Sequence, residues 1–180
     1  MTASLYDMSV PGLVGSLKTL SALLDKAAAT AEAKKIDPQV FLTARLAPDM
    51  APLTRQVQIA SDTAKGAGAR LAGVEAPSMP DTETTFPELK ARLAATVAWL
   101  ESLDRAAFDG PADRIITMKM GPTNEASFPA TVFLTGFVLP NFYFHMTTAY
   151  GILRHNGVEI GKLNYLAALA PYIKPVAVAA

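Results

Sequence analysis

Chemistry near neutral pH starts from the two histidines of this chain, His145 and His155, since cysteine is absent. Imidazole exchanges a proton around neutrality and ligates metals when neutral. Both histidines fall in "NFYFHMTTAYGILRHNGVEIGK", residues 141–162. At about 100° per residue, a helix there puts His145 roughly 60° from Phe142 and 20° from Ile152. That is the border of the apolar face, and Asn141 lies on the same edge one turn earlier. Upstream, Asp49, Gln56 and Thr63 recur every seven residues beside an apolar seam. If the two edges face each other, Asp49, Gln56, Asn141 and His145 line one polar pocket suited to a small molecule. Each also has a plainer use. Asp49 suits a helix N-terminus, Gln56 an inter-helix hydrogen bond, and His145 a backbone or amide contact. His155 stands apart, about 80° round from His145. With Arg154, beside the Gly157 stop, it reads as a helix C-terminal cap.

Other chemistries lack their residues. Without cysteine there is no thiolate nucleophile, disulfide or Cys-based metal site. "GAGARLAG" has neither the preceding strand nor the spacing of a phosphate-binding loop. No G-x-S-x-G sequence occurs. Sixteen basic residues balance sixteen acidic ones without a basic cluster, which argues against nucleic acid as a partner.

The elements that must carry the pocket are helical. A first helix is expected from near Ser9, with Pro11 in its first turn and a stripe of Leu13, Leu17, Leu20, Leu24 and Ala27. After a short piece in "DPQVFLTARL", the second helix starts at "PDMAPL", with Asp49 near the cap and Pro52 in the first turn. Its seam is Met50, Leu53, Val57, Ala60, Ala64, Ala67 and Leu71, and its alanines predict close approach by a neighbour. Gly73 stops it. "TFPE", Thr85 to Glu88, reads as the capping box of a third helix that buries Leu89, Leu93, Thr96, Val97, Leu100 and Leu103. Between Phe108 and Leu139 the helical period vanishes. "RIITMKM" and "FPATVFLTG" then read as a β-hairpin around "GPTNEA", with Pro129 at an edge. The fourth helix runs from Pro140 to Asn156-Gly157, and a short turn follows in "KLNYLAALA".

The whole is one domain over residues 1–180, mainly all-α: an antiparallel four-helix bundle with a small hairpin before the last helix. A content of 51% hydrophobic and 18% charged residues in 180 suits a compact soluble domain. The start "MTASLYDMSV" does not read as a signal peptide, and no apolar run is long enough to span a membrane. A cytoplasmic protein is expected.

Three phrases carry a family likeness: "DMAPLTRQVQIASDTAK", "TFPEL" and "LPNFYFHMTTAYGILRHNGVEIGK". They resemble the bacterial domain-of-unknown-function family nineteen ninety-three, grouped with the DinB/YfiT-like superfamily, over nearly the whole chain. The resemblance implies a four-helix bundle and dimerisation through helix faces, but no established activity. Many members of the wider superfamily resemble metal-dependent, thiol-using transferases or hydrolases. Their divalent ion is held by one histidine on the second helix and an H-x-x-x-H pair on the fourth. Here the position four after His145 is Ala149, and the second helix has no histidine.

The expectation is therefore a homodimer that binds a small molecule through His145, Asn141, Gln56 and Asp49, without metal or other cofactor. Trp99 and the exposed rings among Phe142, Tyr143 and Phe144 are candidates for subunit contact. One alternative is a metal-assisted hydrolase or thiol transferase in which Asp49, Gln56 and His145 replace part of the ligand set. Another is a structural protein with no specific ligand. Whether the chain is an enzyme is open at this level.

Overall fold

Helix α1, Leu5–Lys34, opens on a reciprocal cap: the Ser4 hydroxyl accepts from the Asp7 N–H, and the Asp7 carboxylate receives the Ser4 N–H. This corrects the expected start near Ser9. Ser9 is buried inside the helix with its hydroxyl donating to the Leu5 carbonyl at 2.5 Å, and Pro11 lies in the helix interior. The Ser-x-Pro signal misled because Ser4-x-x-Asp7 supplies the stronger cap. The computed structural model describes residues 4–111 and 113–174.

A short α2, Pro38–Leu42, is capped by Asp37 and leads through residues 43–52 into α3, Leu53–Ala72. Pro52 occupies the cap position of α3 without a side-chain hydrogen bond. Asp49 is exposed in the preceding turn. The expected Asp49 cap is thus not formed, because Pro52 already sets the helix entry four residues before Gln56. The expected α3 seam is buried from Leu53 to Leu71, and Gly73 ends the helix at φ 70°. At Gly68 a β-carbon would come within 2.6 Å of Leu100, so α3 and the next helix touch almost backbone to side chain there. That next helix, α4, Phe86–Glu101, has the expected Thr85–Glu88 box.

A single 3₁₀ turn, Arg105–Phe108, precedes two antiparallel strands: β1, Ile115–Met120, and β2, Asn124–Pro129. The hairpin is present, but its second strand lies earlier than expected and ends at Pro129, opposite Ile115. From Ala130 the chain is helical: α5, Ala130–Val132, then a π-helical segment, Phe133–Val138, then α6, Leu139–His155. The β-branched residues of "ATVFLTG" suggested a strand. Tertiary packing overrides that preference, burying Ala130, Phe133, Leu134 and Val138 in the core. After Gly157, at φ 82°, come α7, Lys162–Tyr165, and a 3₁₀ turn over Ala167–Tyr172.

The fold is mainly helical with one small hairpin, as expected. The described residues hold seven α-helical segments: four long ones and the short α2, α5 and α7, of which α2 and α7 fall in the expected short pieces. The four long ones, α1, α3, α4 and α6, share the core: α3 packs on α6 and α4, and α1 on α4, α3 and α6. Fully buried Leu13, Leu17, Leu20, Phe142, Ile152 and Leu153 belong to it. No helix among the described residues is long and apolar enough to cross a membrane.

Candidate functional site between α3 and α6

Gln56 and His145 meet across the α3–α6 contact. His145 Nδ1 lies 2.7 Å from Gln56 Oε1, and Gln56 Nε2 donates to the Ala51 carbonyl at 2.9 Å. A carbonyl can only accept, so the Gln56 amide nitrogen must face Ala51 and its oxygen must face the ring. Nδ1 is therefore the protonated nitrogen of neutral His145, and Nε2 keeps its lone pair. Among the described residues Nε2 has no protein hydrogen-bond partner. Burial pushes the His145 pKa below its ordinary value of 6.5, and the nearby Arg55 cation adds to the depression. Gln56 is 1% exposed and His145 half-buried, so the anchor is rigid and the ring keeps an open side.

The second contact is Asn141 with Thr63. Asn141 Nδ2 donates to Thr63 Oγ1 at 3.0 Å. The pairs 56–145 and 63–141 run in opposite senses along the two helices, so α3 and α6 are antiparallel here. Asn141 and Thr63 lie on a cleft of about 210 Å³. Its α3 side also has Asp62, Gly66, Ala67 and Arg70, while Met118 of β1 and Phe133, Phe137 and Val138 form the rest. Phe133 and Phe137 stack with centroids 5.9 Å apart, and Phe128 of β2 stacks on Phe137 at 6.2 Å. A π-helical segment supplies three of these lining residues, and such irregularities recur at functional sites.

The four sequence candidates therefore separate. Gln56 and His145 form one pair, and Asn141 lines the cleft one turn away along the same edge of α6. Asp49 makes no side-chain hydrogen bond or ion pair among the described residues, and it does not line this cleft. His155 is exposed in the last turn of α6, where a basic residue meets the free carbonyls.

A larger polar cluster escaped the sequence reading. Arg92 of α4 has a side chain only 2% exposed. Its guanidinium contacts Asp62 at 2.8 Å, Asp81 at 3.0 Å and Glu83 at 3.0 Å, and also donates to Ser61 Oγ and the Pro80 carbonyl. Arg55 pairs with Asp81 and Lys65 with Asp62, so three cations meet three carboxylates. Burial alone would raise the Glu83 carboxyl. Hydrogen bonds from Arg92 and Gln58 outweigh it and hold that group below the usual range. The cluster ties the connector of residues 73–85 to α3 and α4. One signal was available: Arg92 sits between Leu89 and Leu93 on the helix face that buries Thr96 and Leu100.

The three-histidine metal implied by the superfamily does not fit these residues. Ala149 occupies the place of the paired histidine, no histidine lies on α3, and the Nδ1 of His145 is taken up by Gln56. Among the described residues no three His, Cys, Asp or Glu side chains gather as a metal-holding group.

Fold and contacts together define a helical protein of the DinB kind. A crystal structure of a DinB family member protein from Shewanella denitrificans superposes with a TM-score of 0.86 at 47% identity, covering 95% of this chain and 96% of that one. The chain belongs to the family described as Domain of unknown function (DUF1993), which matches residues 5–166. Comparison with curated proteins gave no match.

Proposed function

We propose that this chain, as a homodimer, binds a small molecule between α3 and α6, using His145 as a neutral hydrogen-bond acceptor and without a three-histidine metal. The observation that carries the reading is the Ala51–Gln56–His145 relay, which fixes one tautomer and leaves Nε2 open. The relay orients the ring and makes Nε2 the acceptor that it presents. Asn141, with its carbonyl oxygen uncommitted, adds an acceptor on the cleft one turn away. Asp49 drops to a peripheral place in this reading. The four long helices act as an antiparallel bundle that holds both edges in register, and exposed Tyr143 and Phe144 offer apolar surface to a second subunit.

Nitrogen-15 shifts of the His145 ring test the relay: Nδ1 should appear protonated and Nε2 bare at pH 7. The reverse assignment would sink the proposal. Metal analysis on untagged protein is its companion. Stoichiometric zinc, nickel or manganese lost on His145→Ala would establish the metal-dependent alternative instead.

A further inference from the structure

The cleft has one unbalanced charge. Arg70, in the last turn of α3, folds back so that its Nη1 donates to the Gly66 carbonyl at 3.0 Å. That position depends on glycine, since a β-carbon on Gly66 would sit 2.6 Å from Nη1. Glycine inside a helix is costly relative to alanine, so its presence in mid-α3 calls for a reason, and the seat of the guanidinium supplies one. Among the described residues Arg70 has no carboxylate partner, whereas the cleft's own Asp62 is already held by Arg92 and Lys65. Exposed Arg70 therefore keeps guanidinium donors that no protein group takes, at the rim of a pocket whose other side is the Phe133–Phe137 stack and Met118.

We infer that the cleft takes a small organic carboxylate with an apolar or aromatic body, its anionic end on Arg70 and its ring on the phenylalanine wall. The inference rests on the Asn141 part of the binding reading above and adds a ligand class for that cleft, which His145 does not line. A single guanidinium flanked by the neutral Thr63 and Asn141 balances a monoanion, whereas a phosphate dianion would call for more cations. About 210 Å³ is below the roughly 300–1,000 Å³ of drug-sized sites, so the ligand is of benzoate or phenylacetate size. The planar carboxylate meets the planar fork, and half-buried Phe137 gives the ring a face to stack on.

Titrating the full chain with benzoate, benzamide and benzylamine, followed by proton–nitrogen NMR, tests this. Benzoate should saturably shift the Asn141 side-chain amide and the Arg70 Nε–H, with benzamide roughly tenfold weaker or worse. Arg70→Gln should abolish that preference, and so should Gly66→Ala, which keeps the arginine but removes its seat while circular dichroism stays helical. If benzamide or benzylamine moves the Asn141 amide as readily as benzoate, the pocket stands and the carboxylate assignment falls. Retention of the preference in Gly66→Ala overturns the role of the glycine seat. If no probe moves the Asn141 amide in the wild type, the carboxylate assignment falls, while the His145 reading is decided separately by its ring nitrogen shifts.

Discussion

At the scale of single residues, His145 links stability to pH. Its folded pKa is lowered by burial and by Arg55, below the 6.5 of a free imidazole. Between those two values the unfolded chain binds the proton more readily, so the native state loses ground as pH falls through about 6.5. Urea unfolding at a series of pH values should show this acid slope, and His145→Gln should flatten it. An unchanged slope would assign the effect to other groups. Gln56 behaves differently, because it is itself buried and bridges two part-buried partners. Gln56→Leu should cost roughly 1–3 kcal/mol by stranding the Ala51 carbonyl and the ring N–H, read as a lower urea midpoint. The Gln56–His145 edge was legible because helical arithmetic places both residues beside their seams. Asp49 lies in the turn before α3, where the seven-residue helical interval does not extend. The tautomer needed three-dimensional contact with a carbonyl, which no spacing reveals.

At the scale of elements, the connector between α3 and α4 is held by charge rather than apolar burial. Removing Arg92 leaves Asp62, Asp81 and Glu83 facing one another with only Arg55 and Lys65 as counter-charges. Arg92→Met should therefore destabilise the chain by about 3–5 kcal/mol near neutral pH. Glu83, whose folded pKa is depressed in the intact cluster, contributes stability above its ordinary 4.5 and loses it as pH falls through the folded value. The deficit of Arg92→Met should accordingly shrink on acidification, as the repelling carboxylates take up protons. A deficit constant from pH 7 to 4 would mean lost packing and not lost charge. The helices themselves were largely readable: the Thr85–Glu88 box, the α3 seam and the Gly73 and Gly157 stops follow from local chemistry. The start of α1 was missed because two competing cap signals lie five residues apart. The second strand was misplaced because β-branched residues at 131–138 fit a sheet as well as a buried helix, and only packing decides. The Arg92 cluster draws on positions 62, 81, 83 and 92, a spacing with no local period.

At the scale of the whole molecule, the homodimer is the open assembly. Light scattering should give a mass near twice 19.0 kDa at high concentration, falling on dilution, and Phe144→Glu should weaken association. A mass of 19.0 kDa at every concentration would rule the dimer out. The π-helical segment has a broader bearing on how this architecture can vary. In an unbroken helix from Ala130 to His155, the heading of each side chain would dictate every other, at roughly 100° per residue. The wide turn of Phe133–Val138 lets out one extra residue, so the aromatic side of the cleft and the polar edge of α6 are geared separately. Gaining or losing a single residue in that turn would rotate Phe133 and the hairpin about the axis, and because Phe133, Leu134 and Val138 are buried the core would have to repack with them. The cleft wall is cut from the same block as the core, so the two can only be reshaped together.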